Sequence, residues 1–362
     1  MALVEEEASE CLQVLESLLQ TCVTLAVDTD PDTFVMITRF KCPLLQDFRL
    51  NLLWEGNLML KDTYGVDMGH TLHFLSALKR MKMRQISVAS IAQLGMIWTN
   101  LVELKIKNFD LTPEYVQVLR QCQNIKTCYL IPASPPRIIG QIPSAQSVTL
   151  PKLQRLRVCS AHLDALSSLL FPNLRELQIE ISAAWRHPHR LLSDIVVETL
   201  NSSGCQLRRL RMTRGPLCRS IGDLRQILAA TSSLRWLEIE DITSMTFFSG
   251  QVVMEALARP SPWDHNGVLL VPKLRNLTLS FGGRSYALPS SLEVERLIAS
   301  RERVVVHLGL KSGLEAFDIK LFATDWQKKT TWRKTKFGNV VRDVIEAFPG
   351  SSSEHAGISM AA

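Results

Sequence analysis

Arginine, glutamate and tryptophan side chains at alternating positions of predicted strands are the residues best placed to contact another molecule. Their charge alternates from one predicted strand to the next, which leaves two interpretations open. One is cross-strand ion pairing that stabilises a sheet, and the other is a partner-binding site, because Arg and Trp are favoured interface anchors. The candidate site residues are Arg155, Arg157, Glu176, Arg209, Arg211, Trp236 and Glu238.

Sequence motifs of catalysis and metal binding are missing from the chain. It contains no Gly-x-Ser-x-Gly, no phosphate-binding glycine-rich loop and no His-Glu-x-x-His. Asp28, Asp30 and Asp32 resemble the start of a calcium loop, but Thr33 stands where that loop needs glycine. We therefore predict a non-enzymatic protein with no catalytic residue, no metal ligand and no cofactor.

The elements that would position the candidate residues are repeats. A nine-residue phrase recurs as LPKLQRLRV at 150–158, FPNLRELQI at 171–179 and VPKLRNLTL at 271–279, with a looser copy at 42–50. Its skeleton is Leu-x-x-Leu-x-Leu, and the last three positions predict a short strand whose leucines point inward. The skeleton can be read with first positions at Cys22, Leu45, Met83, Leu101, Ile125, Leu153, Leu174, Leu207, Leu234, Leu274 and Leu314.

The spacing of these copies predicts the fold. Successive copies lie about 29 residues apart on average, at the upper end of the ~20–29 range of leucine-rich repeats. The stretches between them are often amphipathic helices, and one such unit cannot bury its apolar side alone. We predict an α/β leucine-rich-repeat solenoid, or horseshoe, with a parallel sheet on its concave side and irregular repeats.

Composition agrees with a folded chain rich in leucine. The 362 residues include 46% hydrophobic residues and about 15% leucine, and 41 basic against 35 acidic residues give a net charge of +6. Such a chain is not expected to be disordered. The eight cysteines form no Cys-x-x-Cys pair and predict buried free thiols. An acidic N-terminus and the lack of a long apolar run predict a cytoplasmic or nuclear protein with no membrane contact.

Four segments are predicted along the chain. Residues 1–21 form an N-terminal helix, 22–325 the solenoid, 326–348 a basic C-terminal segment and 349–362 a disordered tail. The basic strip at 328–336 could be a nuclear address or a phosphate-binding strip, but we interpret it as the solvated end of the solenoid. The alternating charges do not describe a single-sign trough, so nucleic acid is not an expected partner.

The repeat phrases resemble the leucine-rich-repeat region of F-box proteins from mushroom-forming (basidiomycete) fungi. The resemblance covers roughly residues 20–325 and lies in the Pro-containing strand openings and in a predicted helix at 292–303 before a last strand. The openings are Cys42-Pro43, Phe171-Pro172 and Val271-Pro272. The resemblance implies substrate-recognition repeats of a ubiquitin-ligase adaptor, which bind a protein substrate on the concave face.

An F-box, which would dock onto a Skp-type linker, is not evident before residue 22. That linker is therefore expected as a partner only if an F-box lies upstream of Met1. The alternative is a free-standing leucine-rich-repeat scaffold that binds protein with no link to ubiquitin.

Overall fold

The computed structural model describes residues 13–30, 42–52, 77–84, 98–107, 114–131, 147–160, 169–180, 191–213, 221–241, 253, 256–258, 270–282, 295–300, 316–322, 327–334 and 340–347. The chain divides into two compact units, residues 1–207 and 208–362. Each unit is an α/β arrangement built around parallel strands.

The first unit contains a parallel sheet whose strands follow chain order. Its strands are β1 Thr24–Thr29, β2 Asp47–Leu52, β3 Arg80–Arg84, β4 Glu103–Lys107, β5 Thr127–Ile131, β7 Arg155–Cys159 and β9 Glu176–Glu180. Two short strands, β6 Val148–Thr149 and β8 Leu169–Leu170, pair with each other in parallel outside this sheet. The described helices of this unit are residues 13–21, α1 Glu114–Gln121 and α2 Leu192–Ser203, and a 3₁₀ turn spans Trp98–Asn100.

Several strands bury every second side chain, as the Leu-x-Leu pattern predicts. In β4, Leu104 and Ile106 are buried, whereas Glu103, Lys105 and Lys107 are half-buried. The same alternation occurs in β3, β5 and the first four residues of β7. Because successive side chains of a strand point to opposite faces, one face of the sheet packs in the core and the other face carries polar residues.

One turn recurs before the strands and fixes their register. The first leucine-type residue donates its N–H to the carbonyl oxygen three residues earlier, as in Leu153 to Leu150 and Leu174 to Phe171. Two consecutive N–H groups then share one carbonyl of the preceding repeat, as Gln154 and Arg155 do with that of Lys126. These bonds satisfy backbone groups that the core would otherwise bury unpaired.

The strands confirm most of the predicted first positions. Ten of the eleven predicted first positions are followed by a strand that begins two residues later, for example Arg155 after Leu153, and the copy at Met83 is the exception. Met83 was wrong as a first position, because it lies buried inside β3, and Leu78 takes that place. The apolar skeleton fits both residues, and the Met83 copy lacks the Pro-containing phrase that makes the register specific.

The second unit continues with parallel strands and ends in an antiparallel meander. Its strands are β10 Arg209–Thr213, β11 Trp236–Asp241, β12 Asn276–Gly282, β13 Ala316–Phe322, β14 Gln327–Lys334 and β15 Val340–Ala347. Its described helical residues include α3 Ile221–Ala229 and residues 295–300. Strands β10 to β13 pair in parallel, whereas β14 pairs antiparallel with both β13 and β15.

The structure near the two ends of the chain can be compared with the predicted N-terminal helix, basic segment and tail. Residues 13–21 are helical, with Leu19 buried and Leu15 and Leu18 exposed. Strands β14 and β15 occupy much of the predicted basic segment 326–348, and the tail 349–362 lies outside the described residues. The predicted segment boundaries stay a prediction.

Candidate functional site

The densest group of predicted site residues lies on β10 and β11 in the second unit. The parallel register places Arg209 opposite Trp236 and Arg211 opposite Glu238. All four side chains occupy the outward positions of their strands, because Leu210, Met212, Leu237 and Ile239 fill the inward ones. With Glu240, these residues form a group that we call the Arg–Trp–Glu cluster.

Arg209 covers the indole ring of Trp236. The central guanidinium carbon lies 4.1 Å from the ring centroid, a distance at which the ring quadrupole attracts the cation. Trp236 nevertheless keeps 37% of its surface exposed. The arginine therefore holds the indole in place while part of the ring remains available for contact.

The two glutamates balance the arginine charges of the cluster. Nε of Arg211 lies 3.4 Å from Oε1 of Glu238, and its Nη2 donates to Oε2 of Glu240 at 3.2 Å. Arg209 completes the group, with Nη2 4.0 Å from Oε2 of Glu238. Glu238 is buried, so its carboxylate depends on these arginines for compensation. The cluster is close to neutral, and its main available surface is aromatic.

The remaining predicted site residues lie in the first unit. Arg155 of β7 and Glu176 of β9 are opposite each other, with Nε and Oε2 3.7 Å apart; Arg155 is exposed and Glu176 is half-buried. Arg157 stands opposite Gln178 of β9, but its side chain extends diagonally to buried Glu180, two residues further along β9. It donates to the Glu180 carboxylate from Nε at 2.7 Å and from Nη2. These contacts confirm cross-strand ion pairing, while partner binding at these residues stays a prediction.

Several outward residues escaped the sequence prediction. The misplaced first position at Met83 hid the outward row of β3, which is Arg80, Lys82 and Arg84. Asp47 of β2 was also missed, although its Oδ2 lies 3.4 Å from Nη2 of Arg49 and 3.5 Å from Nε of Arg80. With Leu78 as the first position of the Leu-x-x-Leu-x-Leu skeleton, the sequence would have predicted the outward residues of β3.

Most of the described cysteines lie in the core. Cys42, Cys122, Cys128 and Cys159 are buried free thiols, and Cys22 and Cys205 are half-buried. Burial, reinforced by Cys22, raises the pKa of Cys42 to about 11, and burial raises the pKa of Cys122 to about 12. Burial is also the main cause of the raised pKa values of Cys128 and Cys205. These thiols are protonated near neutral pH and therefore poor nucleophiles.

Other kinds of site find little support among the described residues. No group of three or more His, Cys, Asp or Glu side chains in the described ranges is arranged to hold a metal ion. Within the same ranges, no helix is long and apolar enough to cross a membrane. No protein-family model matches the chain, and no curated protein is significantly similar to it.

Proposed function

We propose that the chain is a non-enzymatic protein-interaction module of the cytoplasm or nucleus, built as an irregular leucine-rich-repeat solenoid. The recurring turn before the strands and the common position of the first leucine support this proposal. A sheet made in this way offers many outward side chains on a rigid backbone. Protein partners are usually recognised by such an array and not by a single deep pocket.

The observation that carries the proposal is the half-exposed Trp236 held under Arg209. A tryptophan whose orientation is already fixed loses little conformational entropy when a partner covers it. Trp and Arg are also the residue types that contribute most at protein interfaces. Because Glu238 and Glu240 compensate the arginines, the cluster suits a partner side chain of apolar or mixed character better than a polyanion.

The resemblance to fungal F-box proteins favours a more specific role. In that role the repeats recognise the substrate of a ubiquitin ligase, and an F-box upstream of this sequence would bind a Skp-type linker. The alternative is a free-standing scaffold that uses the same cluster without a ubiquitin link. Both roles place the partner protein on the outward side of β10 and β11.

Quantitative affinity purification tests the proposal. The tagged full chain is compared with Trp236→Ala and Arg209→Ala, and proteins lost with both variants are purified and titrated against each chain. We expect at least about a tenfold weaker dissociation constant for Trp236→Ala, since interface anchors contribute about 2 kcal/mol or more.

Two control variants separate the cluster from general effects of truncation. Arg235→Ala removes the exposed arginine next to Trp236, and Leu44→Ala removes a leucine that is 52% exposed in the first unit. Partners retained by every variant would refute the proposed site. Copurification of a Skp-type linker with a product extended upstream would support the ligase role, whereas its absence would favour the free-standing scaffold.

A further inference from the structure

Three neighbouring strands of the first unit carry basic side chains at adjoining outward positions. The register aligns Arg49 of β2 with Lys82 of β3 and Lys105 of β4. Two residues further along these strands, it aligns Arg84 of β3 with Lys107 of β4. We call Arg49, Lys82, Arg84, Lys105 and Lys107 the basic face. It is separate from the Arg–Trp–Glu cluster, which lies in the second unit.

Two carboxylates compensate only part of this charge. Asp47 is 3% exposed and pairs with Arg49 and Arg80, and Glu103 pairs with Lys105 at 2.5 Å. Lys82, Arg84 and Lys107 form no ion pair within the part of the chain that the structure describes. The basic face therefore keeps positive charge that an external anion can neutralise.

The spacing of the unpaired cations limits what can bind them. Neighbouring strands lie about 4.8 Å apart, and alternate residues of one strand lie about 6.6 Å apart. Lys82, Arg84 and Lys107 therefore fall within one small patch. Carboxylates at alternate positions of an extended peptide have the same spacing of about 6.6 Å, and arginine binds a carboxylate with two parallel hydrogen bonds.

Nucleic acid fits the basic face less well. Binding of single strands relies on aromatic rings that stack with bases. Tyr129 is the one aromatic residue at the described outward positions of β1 to β5, and its ring lies under the ammonium of Lys105 at 4.7 Å. Strong duplex binding typically involves about 6–10 phosphate contacts, more than three unpaired cations provide.

We propose that the basic face binds a run of aspartate or glutamate residues in a partner protein. Lys82, Arg84 and Lys107 supply the unpaired charges, and Arg49 and Lys105 extend the positive surface on either side. Binding here does not require Trp236, so the basic face can act whether or not the Arg–Trp–Glu cluster binds protein.

Fluorescence anisotropy with a labelled deca-glutamate peptide tests this proposal on the full chain. The charge reversal Lys82→Glu with Lys107→Glu is expected to weaken binding at least about tenfold at low salt, because these pairs are poorly screened there. The matched control is Lys126→Glu with Arg175→Glu, which changes the net charge equally at exposed turn residues before β5 and β9. We expect the control to bind within about twofold of the wild type.

Neutral substitution keeps the test decisive if the charge reversal impairs folding. Lys82→Gln with Lys107→Gln removes the cations without adding acids, and circular dichroism checks that it folds. Its binding is expected to weaken several-fold. An absence of peptide binding to the wild type, or an equal loss in the control, would refute the proposal.

An oligothymidylate of equal length distinguishes the class of anion. We expect it to bind more weakly than the peptide. Tighter binding of the oligonucleotide, lost in Lys82→Gln with Lys107→Gln, would overturn the proposal in favour of nucleic acid.

Discussion

The basic face and the Arg–Trp–Glu cluster use the same strand geometry for different chemistry. On β10 and β11, Glu238 and Glu240 compensate two arginines, and the indole of Trp236 is the main exposed group. On β3 and β4, Lys82, Arg84 and Lys107 remain uncompensated among the described residues. One surface is nearly neutral and aromatic, whereas the other is cationic.

The difference shows that the two sides of such a sheet have different roles: the inward side packs the core, and the outward side is available for binding. The described inward positions are filled by apolar residues (Leu, Ile, Met, Val, Phe and Cys), because close packing tolerates little change in shape or volume. Outward positions carry no such restriction, and their composition can change from strand to strand. Binding chemistry can therefore differ between two places in the chain while the scaffold stays the same.

Leucine-to-alanine substitutions in the core should have the largest effect on the free energy of unfolding. The size of that effect should be similar in the two regions. Leu104 under the basic face and Leu237 under the cluster are fully buried. Leu104→Ala and Leu237→Ala should each lower the free energy of unfolding by about 2–5 kcal/mol, because each leaves a cavity. Urea unfolding of both variants measures this. A loss below about 1 kcal/mol in either one would contradict the equivalence of the two interiors.

Ion pairs of the sheet should differ in strength according to burial. Glu180→Ala should cost about 1.5–3 kcal/mol, because it leaves Arg157 without a charge-assisted partner. The control Glu176→Ala removes the more exposed pair with Arg155 and should cost about 0–1 kcal/mol. Equal losses in urea unfolding would mean that burial does not set the strength of these pairs.

The contact between Arg209 and Trp236 should give the smallest measurable effect on stability. A double-mutant cycle with Arg209→Ala and Trp236→Ala isolates it, and we expect a coupling of about 0.5–1 kcal/mol at this half-exposed position. A coupling near zero would remove the argument that Arg209 holds the indole ready for a partner.

The leucine pattern predicted the strands correctly because the residues that define it are the ones that pack in the core. Leu101, Ile125, Leu153 and Leu174 each precede a strand by two residues, as the skeleton required. At Met83 the prediction was wrong because Leu78, Met81 and Met83 fit the same apolar skeleton as Met83, Ile86 and Val88. A five-residue error there concealed the outward charges of β3 and, with them, Lys82 and Arg84 of the basic face.

Side-chain pairing in the candidate site was less predictable than the strands. Charge alternation indicated that Arg155 would meet Glu176, and the register places them opposite each other. It could not indicate that Arg157 passes Gln178 to reach Glu180, or that Arg209 stacks on Trp236. Long side chains choose among opposite and diagonal partners, and that choice depends on local burial.

The most direct test of the account is the affinity of a purified partner whose capture requires Trp236. Its dissociation constant is measured by calorimetry for the wild type, Trp236→Ala and Lys82→Gln with Lys107→Gln. For a partner without an acidic segment, we expect at least about a tenfold loss of affinity for Trp236→Ala and a change within about twofold for the lysine variant. Unchanged affinity in Trp236→Ala would contradict the assignment of the Arg–Trp–Glu cluster as the protein-binding surface.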